Sequence, residues 1–287
     1  MIYQCVAEVE SEISVKAVLK ILRVSTSGYY AWKKRKPSKQ SIKKKITIEM
    51  VKEIHEESNE IYGAPKITIE LHKRGISITE RTVGLYMRES GLRAWYRKPY
   101  TQTTVDSDFS TQLKNILKRD FSPKDPNAVW CSDITYIWTK SGFVYLTSIM
   151  DLYSRKIIAW EITDNLSTEG VVRCIEIAKE KRKINKPIVI HTDRGTQYVS
   201  NAYKEVLGDK FIRSYSRKGN PWDNACIESF HALIKREWLN RYIYNNMIEV
   251  RSSVFEYIEI FYNRKRIHET LGYKSPHEYE ESYFKKH

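Results

Sequence analysis

Pro187-Ile188-Val189-Ile190-His191-Thr192-Asp193-Arg194-Gly195 and Ser216-Arg217-Lys218-Gly219-Asn220-Pro221-Trp222-Asp223-Asn224-Ala225, closing on Glu228-Ser229-Phe230, decide how this chain is read. The β-branched run Ile188 to Ile190 behind Pro187 has the pattern of a fully buried strand, and Asp193 falls where it gives out at a Gly-containing turn. Gly219, Asn220 and Pro221 then interrupt regular structure ahead of an amphipathic helix. On it Ile227, Phe230 and Ile234 recur at i, i+3 and i+7, the spacing of a buried stripe. Glu228 and Lys235 stand seven apart, so both lie along one edge of that stripe. An acid at a strand end and another at a helix edge can converge on one point. Convergent carboxylates repel unless a cation holds them, so the layout asks for a metal.

A third acid completes the set. Trp130-Cys131-Ser132-Asp133-Ile134-Thr135-Tyr136-Ile137-Trp138 is a strand by its aromatic and β-branched content, and Asp133 sits inside it, where an unpaired carboxylate is costly. The order is Asp on one strand, Asp at the end of a later one, and Glu on a helix 35 residues after Asp193. In these residues the chain resembles the catalytic (OrfB) part of two-reading-frame, retroviral-integrase-like DDE insertion-sequence transposases. Further matches are Asp151-Leu152-Tyr153-Ser154-Arg155, Lys235, Glu237 and a C-terminal signature of Tyr262-Asn263, Arg266, His268, Leu271-Gly272-Tyr273 and Ser275-Pro276.

The resemblance runs from about residue 14 to residue 276. It implies that Asp133, Asp193 and Glu228 are catalytic and hold two Mg²⁺ (or Mn²⁺) ions, hard cations suited to oxygen donors. The activity it implies is that of a polynucleotidyl transferase, cutting double-stranded DNA at element ends and joining it to a target. It further implies a homo-oligomer on DNA, a partner frame (OrfA) fused or added in trans, and a bacterial cytoplasmic, nucleoid-associated location. That partner frame usually carries a helix-turn-helix and a leucine zipper, and this chain is expected to lack it. Two other readings stand beside this one: a purely hydrolytic RNase H-like nuclease, and a DNA-binding regulator with an inert catalytic domain. A retroviral integrase proper is disfavoured because its His₂Cys₂ zinc module has no counterpart here.

Composition agrees with a nucleic-acid partner. The 287 residues carry 49 Lys and Arg against 35 Asp and Glu, a formal charge of +14, which favours a polyanion. No apolar run is long enough to span a membrane, and the first residues lack a signal-peptide layout. Cys5, Cys131, Cys174 and Cys226 are scattered without a CxxC pair, which points to reduced thiols rather than a disulfide framework.

Along the chain, Ser14 is placed to cap a helix bearing Val15, Val18, Leu19 and Leu22, with a short second helix over 27–32. Residues 1–40 are expected to form a helix-turn-helix-like segment with a basic arm. Lys33, Lys34, Arg35, Lys36, Lys43, Lys44 and Lys45 read either as a solvated linker or as that phosphate-contacting arm. Residues 41–98 are expected to form a second helix-turn-helix-like domain, with Ile46, Met50 and Ile54 on its first helix, Pro65 opening the next, and Thr79 capping a third that exposes Arg81 and Arg88. A linker (99–120) leads to a catalytic core with a C-terminal helix (121–287). Lys140-Ser141-Gly142 reads as a hairpin turn, and the order β-β-β-α-β-α-β-α matches an RNase H-like α/β (α+β) fold: a mixed five-stranded sheet with helices on both faces.

Around the acids, Lys235, Arg217 and Lys218 are candidate DNA contacts, and Asp223 and Asn224 candidate caps of the Glu228 helix. Trp222 and Tyr198 are candidates for stacking on splayed bases, and Arg264, Lys265 and Arg266 for phosphate contacts. His191 could touch substrate or simply pack, and Asp151 reads as a turn or helper acid.

Overall fold

The computed structural model describes residues 2–8, 14–95, 113–218 and 220–286. The chain forms two compact units, Met1–Glu53 and Ile54–His287. In the first, α1 (Ile2–Glu8), α2 (Val15–Ile21) and α3 (Thr26–Lys34) surround Val6, Leu19 and Tyr29. Ser25 caps α3 by accepting from the Gly28 amide at 3.1 Å, whereas Ser14 stands at the N-cap of α2 without a side-chain bond. Leu22 is exposed rather than part of the α2 stripe. Most of the basic stretch is helical: Lys33 and Lys34 end α3, and Lys43, Lys44 and Lys45 lie on α4 (Lys39–Glu57), with a four-residue link holding Arg35 and Lys36.

α4 turns Thr47, Val51 and Ile54 inward, one position on from the expected Ile46–Met50 stripe, and Ile46 is exposed. α5 (Ala64–Lys73) carries Pro65 in its first turn and buries Ile67 and Leu71; α6 (Glu80–Glu89) is capped by Thr79, whose hydroxyl accepts from the Thr82 amide. These two helices are not a separate bead on a linker. The buried Tyr62 hydroxyl donates to the Lys265 carbonyl at 3.1 Å and accepts from the Ile267 amide at 3.0 Å, tying them to the C-terminal segment. Residues 99–112 of the expected linker lie outside the described residues.

The sheet has the order β3-β2-β1-β4-β5. β1 (Val129–Thr139), β2 (Gly142–Asp151) and β3 (Lys156–Thr163) run antiparallel, then β4 (Ile188–Thr192) and β5 (Phe211–Tyr215) add in parallel. Even-numbered β1 residues Trp130 and Ile134 face a core shared with α7 (Thr168–Lys181), α8 (Thr196–Val199) and α9 (Asn201–Leu207). The alternate face is covered by α10 (Ala225–Glu237), whose Ile227, Phe230 and Ile234 are buried as expected. Helices therefore lie on both faces of a mixed five-stranded sheet.

The expected single helix over 247–262 changes winding. α11 (Met247–Phe255) runs into a π-helical stretch, Glu256–Tyr262, that buries Tyr257, Ile258, Phe261 and Tyr262 together. The wider turn brings Asn263 against the edge strand β3. Its side chain accepts from the Ile157 amide (3.0 Å) and donates to the Ile157 carbonyl (2.9 Å), as a neighbouring strand would. α12 (Pro276–Phe284) closes the chain behind a capping box of Ser275 and Glu278.

Candidate active site

Strand register brings the two aspartates together. Cys131 on β1 is level with His191 on β4 in a parallel pair, so Asp133 and Asp193, each two residues on, lie toward the same face, Asp133 within β1 and Asp193 where β4 has just ended. Asp193 Oδ1 accepts from the Gly195 amide at 2.9 Å. A Cβ on residue 195 would stand 3.1 Å from that oxygen and 3.1 Å from Gln197 Oε1, so the close turn favours glycine. Glu228 projects from the first turn of α10, which covers the Asp133 face of the sheet. Its side chain remains open to solvent, yet its carboxyl is raised to about 7. Neighbouring protein removes part of its hydration, and Asp133 and Asp193 then repel its charge. The three predicted acids are thus brought within electrostatic reach of one another.

His231, which sequence reasoning missed, lies 3.2 Å through Nδ1 from Asp133 Oδ2, with Nε2 3.2 Å from Ser148 Oγ. A ring so held fixes the angle of Asp133 from behind. Its one legible signal is its place three residues after Glu228, toward the buried stripe. Lys235 is half-buried; its ammonium sits 4.3 Å from the Tyr136 ring centroid, and burial lowers its pKa against the opposing pull of Asp133.

Other sequence candidates take different places. His191 is fully buried between Ser214 Oγ (2.9 Å) and Ser216 Oγ (3.2 Å), and burial lowers its pKa to about 4, so it packs as a neutral ring. Asp151 is a buried turn acid accepting from the Asn127 and Tyr153 amides; burial lifts it to about 6. Tyr198 is buried with its hydroxyl 3.0 Å from Ser132 Oγ, so it cannot stack on a base, whereas Trp222 is 69% exposed. Arg266 is buried in a fork onto Glu237 (2.6 and 2.8 Å), which also accepts from Tyr257, so it is a core ion pair and not a phosphate contact. Neither Asp223 nor Asn224 caps α10 through its side chain: Asn224 stands at the N-cap without such a bond, and Asp223 is wholly buried among arginines. Arg217 is one of these, forked onto Asp223. Lys218, Lys33, Lys34, Arg35, Lys36, Lys43, Lys45 and Arg81 are exposed, and Lys44 half-buried.

Among the described residues, no three His, Cys, Asp or Glu side chains close into a ready-made metal cage. The donor chemistry nevertheless fits a hard divalent cation. Asp133, Asp193 and Glu228 offer only carboxylate oxygens, and the repulsion that raises Glu228 is what a cation would cancel.

Residues 123–221 and 212–276 match an integrase core domain, so Asp133 and Asp193 fall in the first match and Glu228 in the second. Residues 41–100 match an HTH-like domain. The transposase for insertion sequence element IS904 of Lactococcus lactis is 37% identical over 86% of this chain and 98% of its own length. Transposase InsF for IS3A of Escherichia coli is 34% identical over 98% of each. This chain belongs to the insertion-sequence transposase family. Its class of activity is that of the integrase-type polynucleotidyl transferases, which work on DNA by a DDE-type mechanism and depend on divalent metal. Among solved structures, the chain is similar to the simian T-cell lymphotropic virus intasome (15% identity, 79% of this chain and 72% of that one, TM-score 0.45). It is also similar to the HTLV-2 integrase catalytic core with magnesium (16% identity, 53% and 95%, TM-score 0.40). Among the described residues, no helix of this transposase-family chain is long and apolar enough to cross a membrane.

Proposed function

We propose that Asp133, Asp193 and Glu228 are the catalytic carboxylates with which this chain cleaves DNA at the ends of an insertion element and transfers the strand to a target. The observation that carries the proposal is electrostatic convergence: a glutamate open to solvent is lifted to about 7 in part by two aspartates, one inside β1 and one just past the end of the neighbouring β4. The three would hold two Mg²⁺ or Mn²⁺ ions, which supply Lewis acidity at the attacking and leaving oxygens of an in-line displacement. The protein's own work is positional. Gly195 holds Asp193, His231 holds Asp133, and α10 sets the angle of Glu228. With its carboxyl raised to about 7, Glu228 would give up a proton on helping to hold a cation. Lys235, beside Asp133, is suited to the phosphate next to the scissile bond. The helical segments before the sheet, with Lys33, Lys34, Arg35, Lys36, Lys43, Lys44, Lys45 and Arg81, would grip the flanking duplex, in a homo-oligomer and with an upstream partner frame.

The test combines the full chain, with and without that partner, with Mg²⁺ and labelled duplex ending in the terminal repeat that flanks this reading frame. Joined DNA products that vanish in Asp133→Asn, Asp193→Asn and Glu228→Gln, each still folded, support the proposal. Cut fragments alone, without dependence on the end sequence, favour a hydrolytic nuclease. Full activity in any one variant removes that residue from the set.

A further inference from the structure

One buried acid lies outside the catalytic set and is over-provided with cations. Asp223 has no exposed surface, yet Arg217 donates to it through Nε (2.9 Å), Nη2 (3.0 Å) and its own amide (2.9 Å), Arg119 through Nε (2.7 Å), and Asn115 through Nδ2 (2.8 Å). Two guanidinium groups on one carboxylate leave a net positive charge at the surface. Both arginines are substantially open, their side chains 41% (Arg119) and 57% (Arg217) exposed, and neither Nη1 has a partner among the described residues.

The backbone is shaped to deliver them. Lys118 and Arg119 adopt consecutive left-handed conformations (φ 50° and 65°), which non-glycine residues seldom do, and the turn is held by Lys118 N donating to Asn115 Oδ1 at 2.7 Å. Arg119 also donates through Nη2 to Asn220 Oδ1 at 2.7 Å, clamping the loop that leads into α10. Guanidinium groups fixed on their inner edges present planar donors outward, the geometry that suits a phosphate. Trp222, 69% exposed, stands next to Asp223 in the chain and five residues after Arg217. An aromatic face beside a phosphate site favours a nucleotide strand over a small free anion.

We propose that Arg119 and Arg217, held by Asp223, form a clasp for a backbone phosphate of the DNA strand entering beside Glu228, with Trp222 stacking on an adjacent base. This rests on the transposase reading above and adds to it a residue, Arg119, that no strand-end acid would have suggested. Asp223 acts through the arginines and is a positioning residue.

The test uses the full chain and duplex carrying the terminal repeat, with one backbone phosphate at a time replaced by a neutral methylphosphonate. Binding is measured for the wild type, Arg119→Gln, Arg217→Gln and Trp222→Ala. One backbone position should weaken wild-type binding severalfold and leave both Gln variants indifferent, a coupling that a purely structural role would not produce. Each Gln variant should also flatten the salt dependence by about one phosphate, so that affinity falls ~3.5-fold less between about 50 and 200 mM salt. Arg119→Lys, which keeps the charge, should restore most of that slope. Equal losses at every position in wild type and variants overturn the clasp, as does stabilisation by inorganic phosphate alone without any coupling on DNA. Absence of metal-dependent strand cleavage in the wild type would instead sink the transposase reading, so the two failures are distinguishable.

Discussion

Replacing Glu228 by glutamine should stabilise the metal-free protein at alkaline pH. The carboxyl rises from its ordinary 4.5 to about 7 on folding, so between those values the folded chain binds more protons than the unfolded chain. Stability therefore falls as pH rises through that window, and the deficit persists above it. A shift of this size at a fully buried group would amount to ~3 kcal/mol. Glu228 is open to water, so solvent screening reduces the expected deficit to about 1 kcal/mol. For a unit of this size that corresponds to a rise in melting temperature of about 2–4 °C for Glu228→Gln at pH 8.5. The assay is thermal unfolding of both proteins in chelator at pH 5 and pH 8.5, then with added Mg²⁺. The gap should shrink at pH 5, where the wild-type carboxyl is protonated, and close with Mg²⁺, which relieves the wild type alone. Identical melting at both pH values would refute the claim that the three carboxylates repel one another.

Glu237→Leu should cost about 3–5 kcal/mol in urea unfolding, because it strands Arg266 in the core, whereas a surface phosphate contact would leave stability unchanged. Converting Lys43, Lys44 and Lys45 together to glutamine should lower the slope of log affinity against log salt by up to ~2.7 in a DNA-binding titration. An unchanged slope would make the α4 lysines an ordinary solvated face.

What the sequence disclosed and what it hid divide along physical lines. The Ile188–Thr192 strand, the Ile227–Phe230–Ile234 stripe and the placement of the three acids rest on local periodicity, and periodicity survives folding. Side-chain partners chosen across long stretches of chain do not show in any local pattern. Asp223 looks like a helix cap five residues before Glu228, but Arg119, 104 residues earlier, reaches it and turns it into a buried anchor. Arg266 and Tyr198 likewise carry polar groups that composition places at a surface, and Glu237 and Ser132 draw them inside. The π-helical winding after Phe255 was equally hidden, since Val250, Val254, Ile258 and Phe261 fit an ordinary helical stripe.

The Asn263 amide against β3 has a consequence for shortened forms of this chain. It is a single side chain standing in for a sixth strand, and it is reached only after the polypeptide has passed through the π-helical stretch. On the opposite border, the Lys114 carbonyl accepts from the Tyr215 amide, a main-chain bond that covers the end of β5 from the N-terminal side. Both borders of the sheet thus take hydrogen bonds from segments that lie outside it in sequence. A product ending before residue 263 would keep all three acids and all five strands, yet bare the Ile157 backbone to any other extended chain. Such a fragment would be expected to precipitate on itself before it could compete for DNA, so the last residues act as guardians of solubility as much as of shape.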